Sequence, residues 1–281
     1  MRRFGADIKS ATKYMPKLLK CPKCGYSRSW VLRRDHRRCK SCRAEWSPCT
    51  RFLVRGMRLN RDHWKTIIGA FLDLETIRAV ADRCHVSFVT SHSAVTIIRS
   101  AMTGDQPSFF TSLCEADETY IGGSWKNKAI HIRKQGSKKG RGTNKQAIFG
   151  IVCRKDRQAR IWLVPDTKRR TLFPLIRSQV QTGCPIYTDG CWVYYSLPKY
   201  GYIHESVDHN AGEYVRGDVH TQTIDGFWGL LKTHLDSIGG IKKKNAVIFV
   251  GEYLWRYNFR HLTRKEKIDR IINLLTIIGG R

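Results

Sequence analysis

Acidic residues are scarce in this sequence. Its 281 residues include 23 Asp and Glu against 51 Lys and Arg, which gives a formal net charge of +28 at pH 7. This shortage excludes a metabolic enzyme with an acidic surface, and a hydrophobic fraction of 41% is too high for a wholly disordered tail protein. Long hydrophobic runs are missing as well, since none reaches the roughly 18 residues that a membrane span needs. Residues 1–10 lack the apolar stretch of a secretory signal, so we expect a soluble, intracellular protein without a membrane partner.

The positive charge is distributed unevenly along the chain. Residues 1–60 hold 17 basic and 3 acidic side chains, and residues 124–145 hold eight basic side chains and no acidic one. A basic side chain that neutralises a phosphate releases condensed counterions, so nucleic acid is the partner that this charge favours. A generally basic solvated surface, or contact with an anionic membrane or a ribosome, is the alternative.

The ten cysteines do not resemble a secreted disulfide framework, because four of them form two tight pairs and six are scattered singly. The pairs are Cys21 with Cys24 and Cys39 with Cys42. Two residues between the thiols let both sulfurs of a pair face one ion, and the 14 residues between the pairs allow a hairpin. The spacing therefore predicts a structural Zn²⁺ site in a zinc ribbon over residues 21–55, after a basic arm at residues 1–20. His36 and Cys49 are alternative ligands.

Three helical stripes follow the ribbon. In the first stripe, apolar residues recur at three- and four-residue spacing, namely Trp64, Ile67, Ile68, Phe71 and Leu72. Ile77, Val80 and Ala81 begin a second stripe, and Val89, Val95, Ile98 and Met102 are assigned to a third. Ser87 is the expected N-cap of the third helix. Residues 56–105 are thus predicted to form a helix-turn-helix-like DNA-binding domain, although any small helical bundle has this periodicity.

Beyond a linker at residues 104–108 the hydrophobic period changes to two. Strands are predicted at residues 112–121, 146–153, 159–164, 186–189 and 202–207, and helices at residues 170–181, from His220 onward, 246–260 and 265–278. Strands in succession, followed by strands alternating with helices, favour an α/β sheet covered by helices. We assign this sheet to residues 110–240 and a helical C-terminal segment to residues 245–281.

Three aspartates occupy positions that such a sheet would bring together. Asp117 lies on the first strand of the sheet, Asp189 at the end of the fourth, and Asp225 on the late helix. Clustered carboxylates can hold two divalent ions, which activate a water or a 3′-hydroxyl and stabilise the transition state of phosphodiester cleavage. Each aspartate alone is unremarkable, and Asp189 before Gly190 would suit an ordinary turn.

Several strings resemble the ISXO-like insertion-sequence transposases and the related Merlin DNA transposons. These strings are the ADETYIGG block at residues 116–123, the TDG block at 188–190, the HTQTIDGFWGLLK block at 220–232 and YLWRYNFR at 253–260. The resemblance also covers the zinc ribbon. It implies a ribonuclease-H-like nuclease domain with a catalytic triad of Asp117, Asp189 and Asp225.

The resemblance further implies the activity and the partners. The enzyme would use two Mg²⁺ ions, with Mn²⁺ able to substitute, to cut DNA at terminal inverted repeats and transfer the 3′-hydroxyl strand into target DNA. It would act as a homodimer or a larger homo-oligomer on DNA, in the nucleus of a eukaryote or the nucleoid and cytoplasm of a bacterium.

The third block departs from the family pattern. Gln222 stands where Asn is usual, and Asp225 stands where Glu is usual; Asp keeps the charge but is one methylene shorter. A non-catalytic DNA-binding protein descended from a transposase is therefore a second hypothesis. A zinc-ribbon RNA-processing or transcription factor is a third, which leaves the three acids unexplained.

Further residues are predicted to contact DNA. Asp225, Gly229 and Lys232 share one helix face, so Lys232 is expected to reach a phosphate; an ordinary solvated lysine is the alternative. Gln222, at the start of the helix, is also predicted to contact DNA. The basic segment 124–145 supplies the rest of the set, Lys126, Lys128, Arg133, Lys134, Lys138, Lys139 and Arg141. This segment could instead be a solvated hairpin or a localisation signal. Glu118 is expected on the opposite side of its strand from Asp117.

Overall fold

The computed structural model divides into two compact units, and each is described separately below. The first comprises the residues up to 101 together with residues 264–281, and the second comprises residues 102–263. The described residues are 20–21, 23–32, 37–46, 53–54, 56–107, 109–122, 130, 145–208, 211–238, 241 and 243–279.

The first unit begins with a small antiparallel sheet around the paired cysteines. Its strands are β1 (Ser29–Val31), β2 (Arg37–Cys39) and β3 (Glu45–Trp46), in the order β1-β2-β3. The β1–β2 pairing sets Ser29 opposite Cys39 and brings the second cysteine pair back toward the first. This is the arrangement of a zinc ribbon.

Three helices follow, each with a capping residue at its start. They are α1 (Arg61–Leu72), α2 (Ile77–Arg83) and α3 (Phe88–Gly104). The side chains of Asn60 and Thr76 accept hydrogen bonds from the backbone N–H groups of His63 and Ala79, and the Ser87 hydroxyl accepts one from the Thr90 N–H at 3.1 Å. The sequence-based prediction of Ser87 as the N-cap is therefore correct.

The prediction that Val89 belongs to the buried stripe of α3 is wrong. Its side chain is 72% exposed, whereas Val95, Ile98 and Met102 are buried. Val89 precedes Val95 by six residues, which turns it about 120° away from the buried face of the helix. The outward face at the start of α3 therefore carries Val89 together with the half-exposed Phe88.

The last helix of the chain, α7 (Arg264–Gly279), belongs to the first unit. The Arg264 guanidinium donates two hydrogen bonds to the Asp73 carboxylate, at 3.0 and 2.7 Å. It also lies against Gly69 of α1, where a Cβ atom would come within 2.7 Å of the guanidinium.

The second unit is a five-stranded mixed sheet. Its strands are β4 (Cys114–Ile121), β5 (Gln146–Cys153), β6 (Gln158–Val164), β7 (Pro185–Asp189) and β8 (Ile203–Val207). They lie in the order β6-β5-β4-β7-β8, with β5 antiparallel to both neighbours and β4, β7 and β8 mutually parallel. This order and these directions are those of a ribonuclease-H-like fold, as the resemblance predicts.

Helices cover both faces of this sheet. They are α4 (Arg169–Gln179) between β6 and β7, α5 (Gln222–Ser237) after β8, and α6 (Ala246–Asn258). Phe149 and Ile151 pack with α4 on one face, whereas Ile148 and Val152 pack with α5 and α6 on the other. Each predicted strand and helix of the sheet unit is present, with ends displaced by up to two residues.

Some elements of the second unit were not predicted. Two 3-10 helices, Trp192–Tyr194 and Leu197–Tyr200, follow β7. A short hairpin precedes α5, and its antiparallel strands, β9 (Val215–Arg216) and β10 (Val219–His220), have two residues each. Elements this short leave no periodic signal in a sequence. Among the described helices, none combines the length and the apolar character needed to cross a membrane.

Candidate active site and metal centre

The four paired cysteines converge as their spacing predicts. Their sulfur atoms all lie within 4.8 Å of one another, and the Sγ atoms of Cys21 and Cys42, and of Cys24 and Cys39, are 3.5 Å apart. Four thiolates bound tetrahedrally at about 2.3 Å would place their sulfurs just under 4 Å apart, so the donor set fits Zn²⁺. Burial raises the pKa of Cys39, yet backbone N–H groups of Cys42 and Ser41 lower it to about 7. The suggested substitutes His36 and Cys49 lie outside the described residues.

Asp117 and Asp189 occupy equivalent positions on neighbouring strands. β4 and β7 run parallel, with Glu115 opposite Tyr187. Each aspartate lies two residues further along its strand, so both stand at the same level and on the same face of the sheet. The charge of Asp189 also raises the pKa of Asp117, so this pair is the centre of the candidate site.

Asp225 approaches the same face from above. It lies in the first turn of α5, whose side chains Ile224, Phe227 and Trp228 pack on this face of the sheet. Its carboxylate accepts a hydrogen bond from the Thr221 hydroxyl at 3.0 Å, and its side chain is exposed.

The charges of these acids act on one another. Burial raises the pKa of Asp117 well above its usual range, and the negative charges of Asp189, Glu118 and Asp225 raise it further. A raised carboxyl pKa means that the ionised form lacks compensating positive charge. Although the whole chain carries a net charge of +28, positive charge is lacking around Asp117. A bound cation would supply it.

The carboxylates are more widely spaced than the thiolates. Among the described residues, only the four cysteines form a group of three or more ligating side chains with all ligand atoms within 4.8 Å. Two ions roughly 4 Å apart require ligands spread over more space than a single ion does. Carboxylate oxygens are also the donors that Mg²⁺ prefers, so the three aspartates fit divalent ions in chemistry and in charge.

Trp228 holds Asp117 in place, a role that sequence reasoning missed. Its indole Nε1 donates a hydrogen bond to Asp117 Oδ2 at 2.9 Å. The indole lies over Gly150, which pairs with Asp117 across the sheet and where a Cβ atom would come within 2.5 Å of the ring. A glycine inside a strand is the sequence signal that could have revealed this close approach.

A buried ion pair joins the strand of Asp117 to the helix of Asp225. Glu115 is fully buried; it accepts a hydrogen bond from Arg154 Nε at 2.5 Å and another from the backbone N–H of Ile224 at 2.9 Å. Arg154 also donates to the backbone carbonyls of Asp218 and His220, just before α5. Glu115 lies two residues before Asp117 and so on the same face, whereas nothing in the sequence identifies Arg154.

The prediction that Glu118 faces away from Asp117 is correct. Its carboxylate accepts a hydrogen bond from the hydroxyl of Tyr194 at 2.5 Å. Tyr194 is fully buried, and burial together with the charge of Glu118 raises the pKa of its hydroxyl well above the usual range.

The predicted DNA-contacting residues divide into two groups. Gln222, Asp225, Gly229 and Lys232 are exposed and lie along one face of α5, and a Cβ at Gly229 would meet no atom within 4 Å. The basic-segment residues lie outside the described residues, namely Lys126, Lys128, Arg133, Lys134, Lys138, Lys139 and Arg141. The string 253–260 is mostly core, since Tyr253 and Trp255 are buried.

Two known proteins are similar to this chain in sequence. An uncharacterized protein in the transposable element ISH50 of Halobacterium salinarum is 24% identical over 242 residues, which cover 83% of this chain and 82% of that protein. An uncharacterized transposase-like protein of Haemophilus influenzae is 29% identical over 96 residues, covering 34% of this chain and 77% of that protein.

A solved structure of a simian T-cell lymphotropic virus intasome in complex with PP2A regulatory subunit B56 gamma is also similar, at 12% identity. The match covers 70% of this chain and 69% of that chain, with a TM-score of 0.35. The ISXO2-like transposase domain matches residues 111–258, which are just over half of the sequence and include all three aspartates. The chain therefore belongs to the family of proteins with an ISXO2-like transposase domain.

Proposed function

We propose that this protein is a DNA transposase whose active site comprises Asp117, Asp189 and Asp225. The observation that carries the proposal is the equivalent placement of Asp117 and Asp189 on adjacent parallel strands, on the face over which α5 carries Asp225. Burial, together with the negative charges of Asp189, Glu118 and Asp225, raises the pKa of Asp117, and a cation partner at this site would offset both effects.

The residues of the chain have separable roles in this proposal. Asp117, Asp189 and Asp225 would hold two divalent ions, which when bound supply a deprotonated nucleophile and stabilise the charge on the transferring phosphoryl group. Trp228 orients Asp117 through its N–H group. Lys232 and Gln222, on the exposed face of α5, would contact the DNA backbone and fix its register relative to the acids.

The test is a nicking and strand-transfer assay on the DNA that flanks the gene and carries its inverted repeats. With Mg²⁺ or Mn²⁺ we expect cleavage at the repeat ends and joining of the 3′-hydroxyl to target DNA. Asp117→Asn and Asp189→Asn should each reduce cleavage by at least about 100-fold, since loss of even an outer-shell partner of a metal costs roughly 10- to 100-fold.

Asp156→Asn is the control, because Asp156 is an exposed aspartate of the same unit and lies in the turn between β5 and β6, away from the exposed face of α5. It should cleave like the unaltered protein. Cleavage that survives either substitution at residue 117 or 189, in a protein that remains folded, would contradict the proposal.

A non-catalytic DNA-binding protein is the second candidate, and the position of the third acid favours it. Asp225 is exposed, and its charge affects Asp117 less than those of Asp189 and Glu118 do. Here the unaltered protein would bind the inverted repeats without cutting them, and Asp225→Glu, which extends the carboxylate by one methylene, would restore cleavage. Robust strand transfer by the unaltered protein would exclude this candidate.

We further propose that the four-cysteine site holds one structural Zn²⁺ and that the first unit, with its exposed start of α3, reads the repeats. Atomic absorption should find one zinc ion per chain. Cys39→Ser should remove it and weaken binding to the repeats, whereas Cys184→Ser, at a buried cysteine of the second unit, should keep it.

A further inference from the structure

Two aromatic side chains stand exposed directly after Asp189. Trp192 is 67% exposed and Tyr195 is 60% exposed, although the residues between them, Val193 and Tyr194, are buried. The turn Trp192–Tyr194 is a 3-10 helix closed by a hydrogen bond from the Tyr195 N–H to the Trp192 carbonyl. Side chains three residues apart eclipse one another in a 3-10 helix, so both rings project from the same side of the turn.

Two hydrogen bonds from the end of this turn attach it to residues next to the candidate active-site acids. The Tyr195 hydroxyl donates a hydrogen bond to the carbonyl of Gly190, the residue that follows Asp189. The buried Tyr194 donates to Glu118, the neighbour of Asp117. The two exposed rings are therefore held in a defined position relative to the acids, unlike apolar residues scattered singly over a surface.

A cluster of three arginines lies next to the segment that carries the aromatic pair. Arg169 donates a hydrogen bond to the hydroxyl of Ser196, at 3.5 Å, and begins α4 at the edge of the sheet where β4, β6 and β7 end. Arg170 and Arg177 follow on the same helix and, with Arg169, line a cavity of about 580 Å³. Its floor is aromatic, with Phe173 and Tyr200 edge to face at 5.0 Å between ring centroids.

Exposed rings beside a row of cations are the features that bind single-stranded nucleic acid, in which bases stack and phosphates meet basic side chains. A protein partner would cover the same rings, but it would not explain a cluster of three arginines beside them. Within the described part of the chain, only Asp166 forms an ion pair with any of these arginines, and that contact to Arg170 is long, at 3.8 Å.

We propose that Trp192 and Tyr195 form a stacking platform for an unpaired base of the DNA strand next to the scissile phosphate. The phosphates of that strand then lie along Arg169, Arg170 and Arg177. This inference rests on the proposed function, since it takes the aspartates to mark the point of cleavage. The segment after β7 then holds a frayed or displaced strand of the DNA.

The experiment measures DNA binding by the full-length protein without added divalent ions and without chelator, which preserves bound zinc. The probes are a blunt 20-base-pair duplex and the same duplex with a six-nucleotide single-stranded tail, which carries 2-aminopurine beside the duplex junction. We expect Trp192→Ala and Tyr195→Ala each to weaken binding of the tailed probe between about fivefold and 150-fold. Binding of the blunt duplex should change less than twofold.

Two further variants separate stacking from other effects. Trp192→Phe should retain most of the affinity and the quenching of 2-aminopurine, because a flat ring remains. Phe109→Ala removes an exposed aromatic ring elsewhere in the second unit and should leave both probes unaffected.

Equal weakening of both probes, or unchanged binding of the tailed probe, would overturn the proposal. So would a shift to a smaller oligomer in Trp192→Ala by sedimentation, since the rings would then be a contact between copies of the chain. Because this assay requires no cleavage, its failure is distinguishable from failure of the proposed activity, which the aspartate variants test.

Discussion

Trp228 combines packing and polar positioning in one side chain. Its indole is buried against β5, where only a glycine leaves room, and its N–H group reaches Asp117. A buried indole needs a hydrogen-bond partner, and a carboxylate that shares its site with other acids gains from a donor. Gly150 therefore contributes to the site without touching any reacting group.

Gly150→Ala is expected to destabilise the protein by about 1–3 kcal/mol, because the added methyl group forces the Trp228 ring to shift in a packed core. Urea denaturation followed by tryptophan fluorescence measures the change. Gly226→Ala is the control: a Cβ there meets nothing within 4 Å, and alanine favours a helix by about 1 kcal/mol over glycine. An unchanged midpoint for Gly150→Ala would mean that the ring is not seated as described.

The raised pKa of Asp117 predicts a pH-dependent stability in the metal-free protein. A carboxyl whose pKa is higher in the folded state than in the unfolded state stabilises the protein fully below the unfolded value, near 4, and that contribution is lost as the pH rises through the folded value. An asparagine at this position cannot ionise, so the Asp117→Asn variant does not lose this contribution to stability as the pH rises. Its melting temperature should exceed that of the unaltered protein at pH 8 by a few degrees, with the difference disappearing toward pH 4.

Thermal melts across that pH range, without added divalent metal, provide the measurement. Added Mg²⁺ should raise the melting temperature of the unaltered protein more than that of the Asn variant, since the ion supplies the missing charge. A lower melting temperature for Asp117→Asn at pH 8 would show that the carboxylate is stabilised in the folded state, against the direction given by its surroundings.

At the scale of elements, the start of α5 is attached to β4 by Glu115. One carboxylate oxygen accepts a hydrogen bond from the Arg154 guanidinium, and the other accepts one from the Ile224 N–H in the first turn of the helix. The strand with Asp117 and the helix with Asp225 are thereby joined through a single buried group. Such placement is favourable because a helix N-terminus carries partial positive charge.

Glu115→Gln should destabilise the protein by about 3–5 kcal/mol, because it leaves Arg154 as a buried charge without its partner. Glu205→Gln is the control, since Glu205 pairs with Arg216 on the surface at 3.7 Å and such pairs contribute at most about 1 kcal/mol. Chemical denaturation measures the free energy of unfolding of both variants. If both substitutions lower the free energy of unfolding by the same small amount, the Glu115–Arg154 pair is solvated in the free protein.

At the scale of the whole molecule, the net charge of +28 makes binding to DNA strongly dependent on salt. Contact with six to ten phosphates would lower the affinity by roughly 10³- to 10⁵-fold between 50 and 200 mM salt. Lys232→Gln should reduce the slope of log affinity against log salt by about 0.9, the contribution of one phosphate.

Titrations at several salt concentrations measure this slope by fluorescence anisotropy. Lys155→Gln is the matched control, because Lys155 is exposed in the turn between β5 and β6, at the edge of the sheet opposite to the acids. A slope unchanged by Lys232→Gln would place the DNA away from α5.

Much of this protein follows from local sequence patterns. The tight cysteine pairs predict the metal site because two residues between thiols determine where the sulfurs point. The change of hydrophobic period at residue 110 predicts the strands of the sheet, since a half-buried strand must alternate. Asp117, Asp189 and Asp225 follow from their places on the predicted strands and the late helix, and the blocks that contain them resemble a transposase family.

Other features exist only once the chain has folded, because they depend on partners far apart in sequence. Gly150 matters through Trp228, Glu115 through Arg154 and Ile224, and α7 returns to pair Arg264 with Asp73, 191 positions away. Val89 was misplaced because its spacing of six residues from Val95 turns it away from the buried face of α3. Local spacing thus determined the secondary-structure elements and the candidate ligands. Long-range packing decided which side chains orient those ligands, which charges are paired and which residues are exposed.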